Sequence, residues 1–119
     1  MEQPNLNYID QLCGEDYAFK QKMIAIIKKE LPLEIDSYHK CMQEQHYKLA
    51  AECVHKLKHK ISILGLEKSY DITHEYENYL LNGTLGSEDK FESIYKDVAN
   101  KYEKVMDDAK SFVSNQVEK

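Results

Sequence analysis

Residues 50–66 read AAECVHKLKHKISILGL, and their spacing decides the fold. Ala50, Cys53, Val54, Leu57, Ile61 and Leu64 recur at steps of three and four, with one adjacent pair. That is the pattern of one buried helix face. Gly65 follows where a helix C′ residue takes the left-handed conformation, so its role is structural. The helix is expected to begin near 45–48. On it His55 lies about 100° from Val54, outside the core. Lys58 and His59 are its neighbours three and four residues along, and Lys58 is expected to be exposed.

Working outward, the upstream stretch repeats the helical period. Phe19, Met23, Ile26, Ile27, Leu31, Ile35, Tyr38 and Met42 keep phase across Pro32. The reading is one long kinked helix, or two nearly collinear ones, from about Asp16 to Glu44, with Asp16 as cap. A short turn or helix precedes it near Asn7 to Leu12 and ends at Cys13-Gly14. Downstream, a helix from about Glu67 to Leu81 turns Ile72, Tyr76, Tyr79 and Leu80 inward. Asn82-Gly83 and Gly86-Ser87 punctuate a loop, and Ser87 caps a last helix. There Phe91, Ile94, Val98, Tyr102, Val105, Ala109 and Phe112 recur, and the pattern continues through Val113 and Val117. No alternating strand stands out. The expected fold is all-α: an antiparallel up-and-down four-helix bundle with a short extra N-terminal helix. It forms one domain over 1–119, with the core bundle about 7–113.

Composition narrows the function. The chain has 119 residues, 4 Gly and 2 Pro, with 42% hydrophobic and 31% charged residues. That suits one folded domain and argues against disorder. Sixteen basic residues face 21 acidic ones, for a net charge of −5, and every basic residue is Lys. Arg forks for guanine or phosphodiesters are absent, so nucleic acid is not an expected partner. Cys13, Cys41 and Cys53 form no CxxC and read as reduced thiols, which fits a cytoplasmic protein. No signal-peptide pattern and no apolar run of about 20 residues is present, so no membrane is expected.

Within this acidic chain, His55 to Gly65 holds three Lys and no acid. The segment is +3, leaving −8 for the rest of a chain whose total is −5. A neutral imidazole is a good nucleophile near pH 7, with an unperturbed pKa of about 6.5. A phosphoryl group on its nitrogen would carry nearly two negative charges, and the Lys58 ammonium is placed to offset them. The site is convex, so a partner must supply the remaining machinery, Mg²⁺ included. No glycine-rich phosphate loop occurs. The chain reads as a phosphoryl carrier rather than a kinase, without a cofactor of its own.

The run His55, Lys58, Gly65 resembles the signature of histidine-containing phosphotransfer (HPt) domains: a His, a Lys three residues on, and a Gly ten residues on. The stretch from Phe19 to Lys58 is similar to that family's long helix leading into its histidine helix, and the likeness covers roughly Asn7 to Leu81. Glu77 falls near an acidic position often seen in the next helix. The resemblance implies that His55 accepts a phosphoryl group from a receiver-domain aspartate and passes it to another receiver. Lys58 would be the charge partner. The partners implied are receiver domains of hybrid sensor kinases and response regulators, in a two-component phosphorelay, with a monomeric carrier. His59 departs from the pattern, since many members have a small residue there. It crowds the acceptor, donates to the phosphoryl group, or points away. Lys56, Ser62 and Ile63 are docking candidates, with surface charge or packing as their plainer roles. Two other readings stand beside this one. One is a phosphotransfer-inactive module that binds receivers as a decoy or scaffold. The other is a metal-binding bundle using the His55/His59 spacing, although no nearby acid or thiol completes a zinc site.

Overall fold

A computed structural model describes residues 2–82 and 89–116, with side chains described for 2–81 and 97–116. The described chain is helical, without a strand. Its helices are α1 (Asn7–Cys13), α2 (Tyr17–Gln43), α3 (Tyr47–Ile63), α4 (Glu67–Asn82) and α5 (Asp89–Ser114). None is long and apolar enough to cross a membrane. The anticipated Gly83 and Gly86-Ser87 turn, the Ser87 cap and Val117 lie outside the described residues, as do the side chains of Phe91 and Ile94.

The α2 helix runs unbroken through Pro32. Asp16 caps it, its carboxylate accepting from the Phe19 N–H at 3.0 Å. Ile24, Ile27, Leu31, Ile35 and Tyr38 are buried on one face. Phe19 and Ile26, expected inside, are exposed, and Met23 and Met42 are only partly covered. The stripe therefore begins at Ile24 and lies about one residue off the expected line at that end. A similar offset marks α5, where Val98, Tyr102, Met106, Ala109 and Val113 are buried. Val105 and Phe112 stand at the core margin instead.

The α3 helix packs against both α2 and α4, α5 packs against α4 and α2, and α1 lies on α2. Being flanked on two sides widens the buried arc of α3. Ala50, Val54, Leu57 and Ile61 are joined there by Ala51 and Lys58, while Cys53 sits half-buried at the edge. From α4 come Tyr76 and Leu80, with Ile72 and Tyr79 less covered. Thr73 is also fully buried, its hydroxyl donating to the Ser69 carbonyl at 2.7 Å. Tyr38, Tyr76 and Tyr102 meet in the interior. The Tyr76 and Tyr102 rings stack at 4.6 Å, and Tyr38 stands edge-on to both.

The helix ends are closed by specific contacts. Gly65 has φ +76°. Its N–H donates to the Ser62 carbonyl, and the Leu66 N–H donates to Ile61. This is the paired C-terminal closure in which a left-handed residue satisfies the last carbonyls. The same pair closes α2, from Gln45 to Met42 and from His46 to Cys41. There the left-handed residue is Gln45, at φ +59°. The N-terminal lead-in crosses the α3–α4 corner. The Asn5 N–H donates to the Leu64 carbonyl at 2.9 Å. The Glu2 carboxylate accepts the Lys68 and Ser69 N–H groups at 3.0 Å each, capping α4 from a distant part of the chain. Burial pushes the Glu2 carboxyl up, but these backbone donors outweigh it and hold the group below the usual carboxylate range.

Candidate functional site

Helix α3 presents His55 and His59 one turn apart, and α4 presents His74 and Glu77 across from them. The His55 side chain is 53% exposed, and its Nδ1 lies 3.1 Å from Glu77 Oε2. An ionised carboxylate only accepts, so Nδ1 carries the proton and donates it to Glu77. Nε2 of His55 is thereby left with the lone pair. The other Glu77 oxygen, Oε1, lies 2.9 Å from Lys58 Nζ. Burial pushes the Glu77 carboxyl up, but hydrogen bonding and charge from Lys58, then from His55, outweigh it and hold the group below its usual range.

Lys58 is not the exposed lysine that the helix phase suggested. It is 6% exposed and turns into the α3–α4 seam, because α3 is covered on two sides. Its ammonium also donates to His74 Nδ1 at 3.1 Å and lies 5.6 Å from the centre of the Tyr70 ring. The expectation of a basic spot is corrected in the same way. Lys60 pairs with Glu34 at 2.8 Å and Glu30 at 3.3 Å on α2, so two of the three lysines are neutralised by acids on neighbouring helices. Lys56 is exposed and borders a shallow hollow with His55, Glu77 and Leu81.

His59 faces His55. Their Nε2 atoms are 3.4 Å apart, and the rings stand at 89° with centroids 4.9 Å apart. With the His55 proton committed to Glu77, His59 Nε2–H is the donor and His55 Nε2 the acceptor. Ser62 is exposed and lines a second hollow with His59, Tyr70 and Asp71. Ile63 is partly buried against the core rather than offered outward. Gly65 fills the structural role assigned to it. The contacts of Lys58 with His74 and Tyr70 escaped the sequence reading, since nothing in the spacing along α4 shows that Lys58 reaches them. Among the described residues no group of three or more His, Cys, Asp or Glu side chains is arranged to hold a metal ion.

The chain matches no protein-family model, no curated protein and no solved structure.

Proposed function

We propose that the protein is a phosphoryl carrier of the histidine phosphotransfer type, with His55 as acceptor and receiver domains as partners. The observation that carries this reading is the His55–Glu77 hydrogen bond at 3.1 Å, which leaves Nε2 of a half-exposed ring as the nucleophilic atom. The contacts also support an antiparallel up-and-down bundle, because α2, α3, α4 and α5 close a ring of neighbours across short connections.

In the reaction, the Nε2 lone pair attacks the phosphorus of a receiver aspartyl phosphate. A P–N bond forms, the acyl P–O bond breaks, and the aspartate leaves as carboxylate. The ring becomes cationic while its proton stays on Nδ1, hydrogen-bonded to Glu77, whose negative charge stabilises that cation. Lys58 is a positioning residue, since its ammonium fixes the Glu77 oxygen opposite the one that orients His55. Mg²⁺ belongs to the receiver. His59 must rotate off Nε2 before phosphorus can approach. Such a carrier works as a monomer in the cytoplasm.

The test is incubation with a phosphorylated receiver and Mg²⁺. Acid-labile, alkali-stable label is expected on wild type and not on His55→Gln; label that persists in the variant rejects the assignment. The His59 contact favours one second reading, a receiver-binding decoy. Tight binding to several phosphorylated receivers without label would identify it.

A further inference from the structure

We propose that His55 and His59 form a two-histidine chelate for an exchangeable divalent transition ion of the Zn²⁺ type. Three observations carry the site. The first is distance. Two imidazole nitrogens bound to one zinc at about 2.0–2.1 Å, with a tetrahedral angle between them, stand roughly 3.3–3.4 Å apart. The two Nε2 atoms are already 3.4 Å apart, so an ion can enter between them without moving the helix.

The second is access. Both rings are on the exposed side of α3 and mutually perpendicular, so an ion can bring its own water ligands. The third is the carboxylate behind the ligand. Glu77 Oε2 accepts from His55 Nδ1 at 3.1 Å. A metal-ligating histidine commonly donates its far N–H to such a group, which fixes the tautomer and raises the basicity of the ligating nitrogen. Binding requires one proton shift, at His59, whose proton moves from Nε2 to Nδ1.

No cluster of three or more metal-ligating side chains is present among the described residues. The remaining coordination positions go to water, and the ion is labile rather than a resident cofactor. Imidazole pairs select transition ions over oxygen-seeking Mg²⁺ and Ca²⁺. The Mg²⁺ that a receiver needs therefore does not compete. The ion takes the same Nε2 lone pair that phosphoryl transfer would use, so metal and phosphoryl group exclude each other. That last consequence rests on the carrier reading; the metal site does not.

The test is titration of the full metal-free chain with Zn²⁺ against a chromophoric competing chelator, in the presence of millimolar Mg²⁺. One equivalent is expected to bind. The affinity should fall about tenfold or more in His55→Gln and in His59→Gln, and roughly tenfold in Glu77→Gln, as for other supporting carboxylates. His39→Gln and Cys41→Ser should bind as wild type does. Undiminished affinity in either His55→Gln or His59→Gln overturns the site, and so does loss of binding in Cys41→Ser. Absence of label from a phosphorylated receiver without zinc rejects the carrier reading alone. Label that forms on wild type equally well with saturating zinc overturns the mutual exclusion.

Discussion

Replacing Lys58 with alanine separates a buried structural lysine from a surface one. Lys58 is 6% exposed, and its partner Glu77 has a side chain only 14% exposed. Removing one member of a buried ion pair costs about 3–5 kcal/mol, because the other charge is stranded in low dielectric. Glu77 keeps His55 and a narrow edge to water, which places Lys58→Ala at the lower end, about 3 kcal/mol. At about 4 °C per kcal/mol for a chain of this size, Tm should drop by about 12 °C. Urea unfolding followed by far-UV circular dichroism at pH 7 measures the loss directly. The pH dependence carries a second signature. The Glu77 pKa is lowered in the folded state, so its contribution is present above the ordinary glutamate value of about 4.3 and is lost as pH falls through the folded value. The gap between wild type and Lys58→Ala should therefore shrink on acidification. A neutral pair, Lys58→Met with Glu77→Leu, should recover much of the loss. A cost within about 0.5 kcal/mol of zero, typical of surface changes, or a gap that stays constant into acid, would refute the buried pair.

Three other changes test the packing. Gln45→Gly should raise stability by about 1 kcal/mol, since Gln45 holds a left-handed backbone that glycine adopts without penalty; a urea midpoint that falls would contradict this. Tyr102→Phe should be neutral or slightly stabilising, because the Tyr102 hydroxyl is buried without a hydrogen-bond partner among the described residues, and its removal leaves no group unsatisfied; a loss above about 1 kcal/mol would reveal a missing partner. Glu2→Gln should cost about 0.5–1 kcal/mol at pH 7 by weakening the α4 cap. Because the Glu2 pKa is lowered on folding, that difference should vanish as pH drops below the carboxylate range, and a difference unchanged at pH 3 would show that its charge plays no part.

The helical order was legible because periodicity reports burial directly. Gly65 and Asp16 announced their helix ends, and the structure places both as read. The phase errors are of two kinds. On α3, a stripe drawn for a helix with a single buried face misses the second contact that a flanked helix makes, and Lys58 and Ala51 are the residues it missed; on α2 and α5 the buried line is shifted, so that Ile24 and Met106 lie inside in place of Ile26 and Val105. Glu77 was visible only through resemblance, and His74 not as a partner of Lys58, because contact across α3 and α4 leaves no spacing within one helix. Glu2 was equally silent. Its two acceptors close a helix start 66 and 67 residues away, and no local motif encodes that.

The nine tyrosines and the lack of tryptophan have an optical consequence. Tyr76 and Tyr102, stacked at 4.6 Å with Tyr38 edge-on, are held rigidly in a chiral interior, while rings such as Tyr8 and Tyr17 stand in solvent. Near-ultraviolet dichroism should therefore arise mainly from that inner trio. Loosening of the interior would extinguish the band while the far-ultraviolet helix signal persists, giving an unlabelled chain its own gauge of tight side-chain packing.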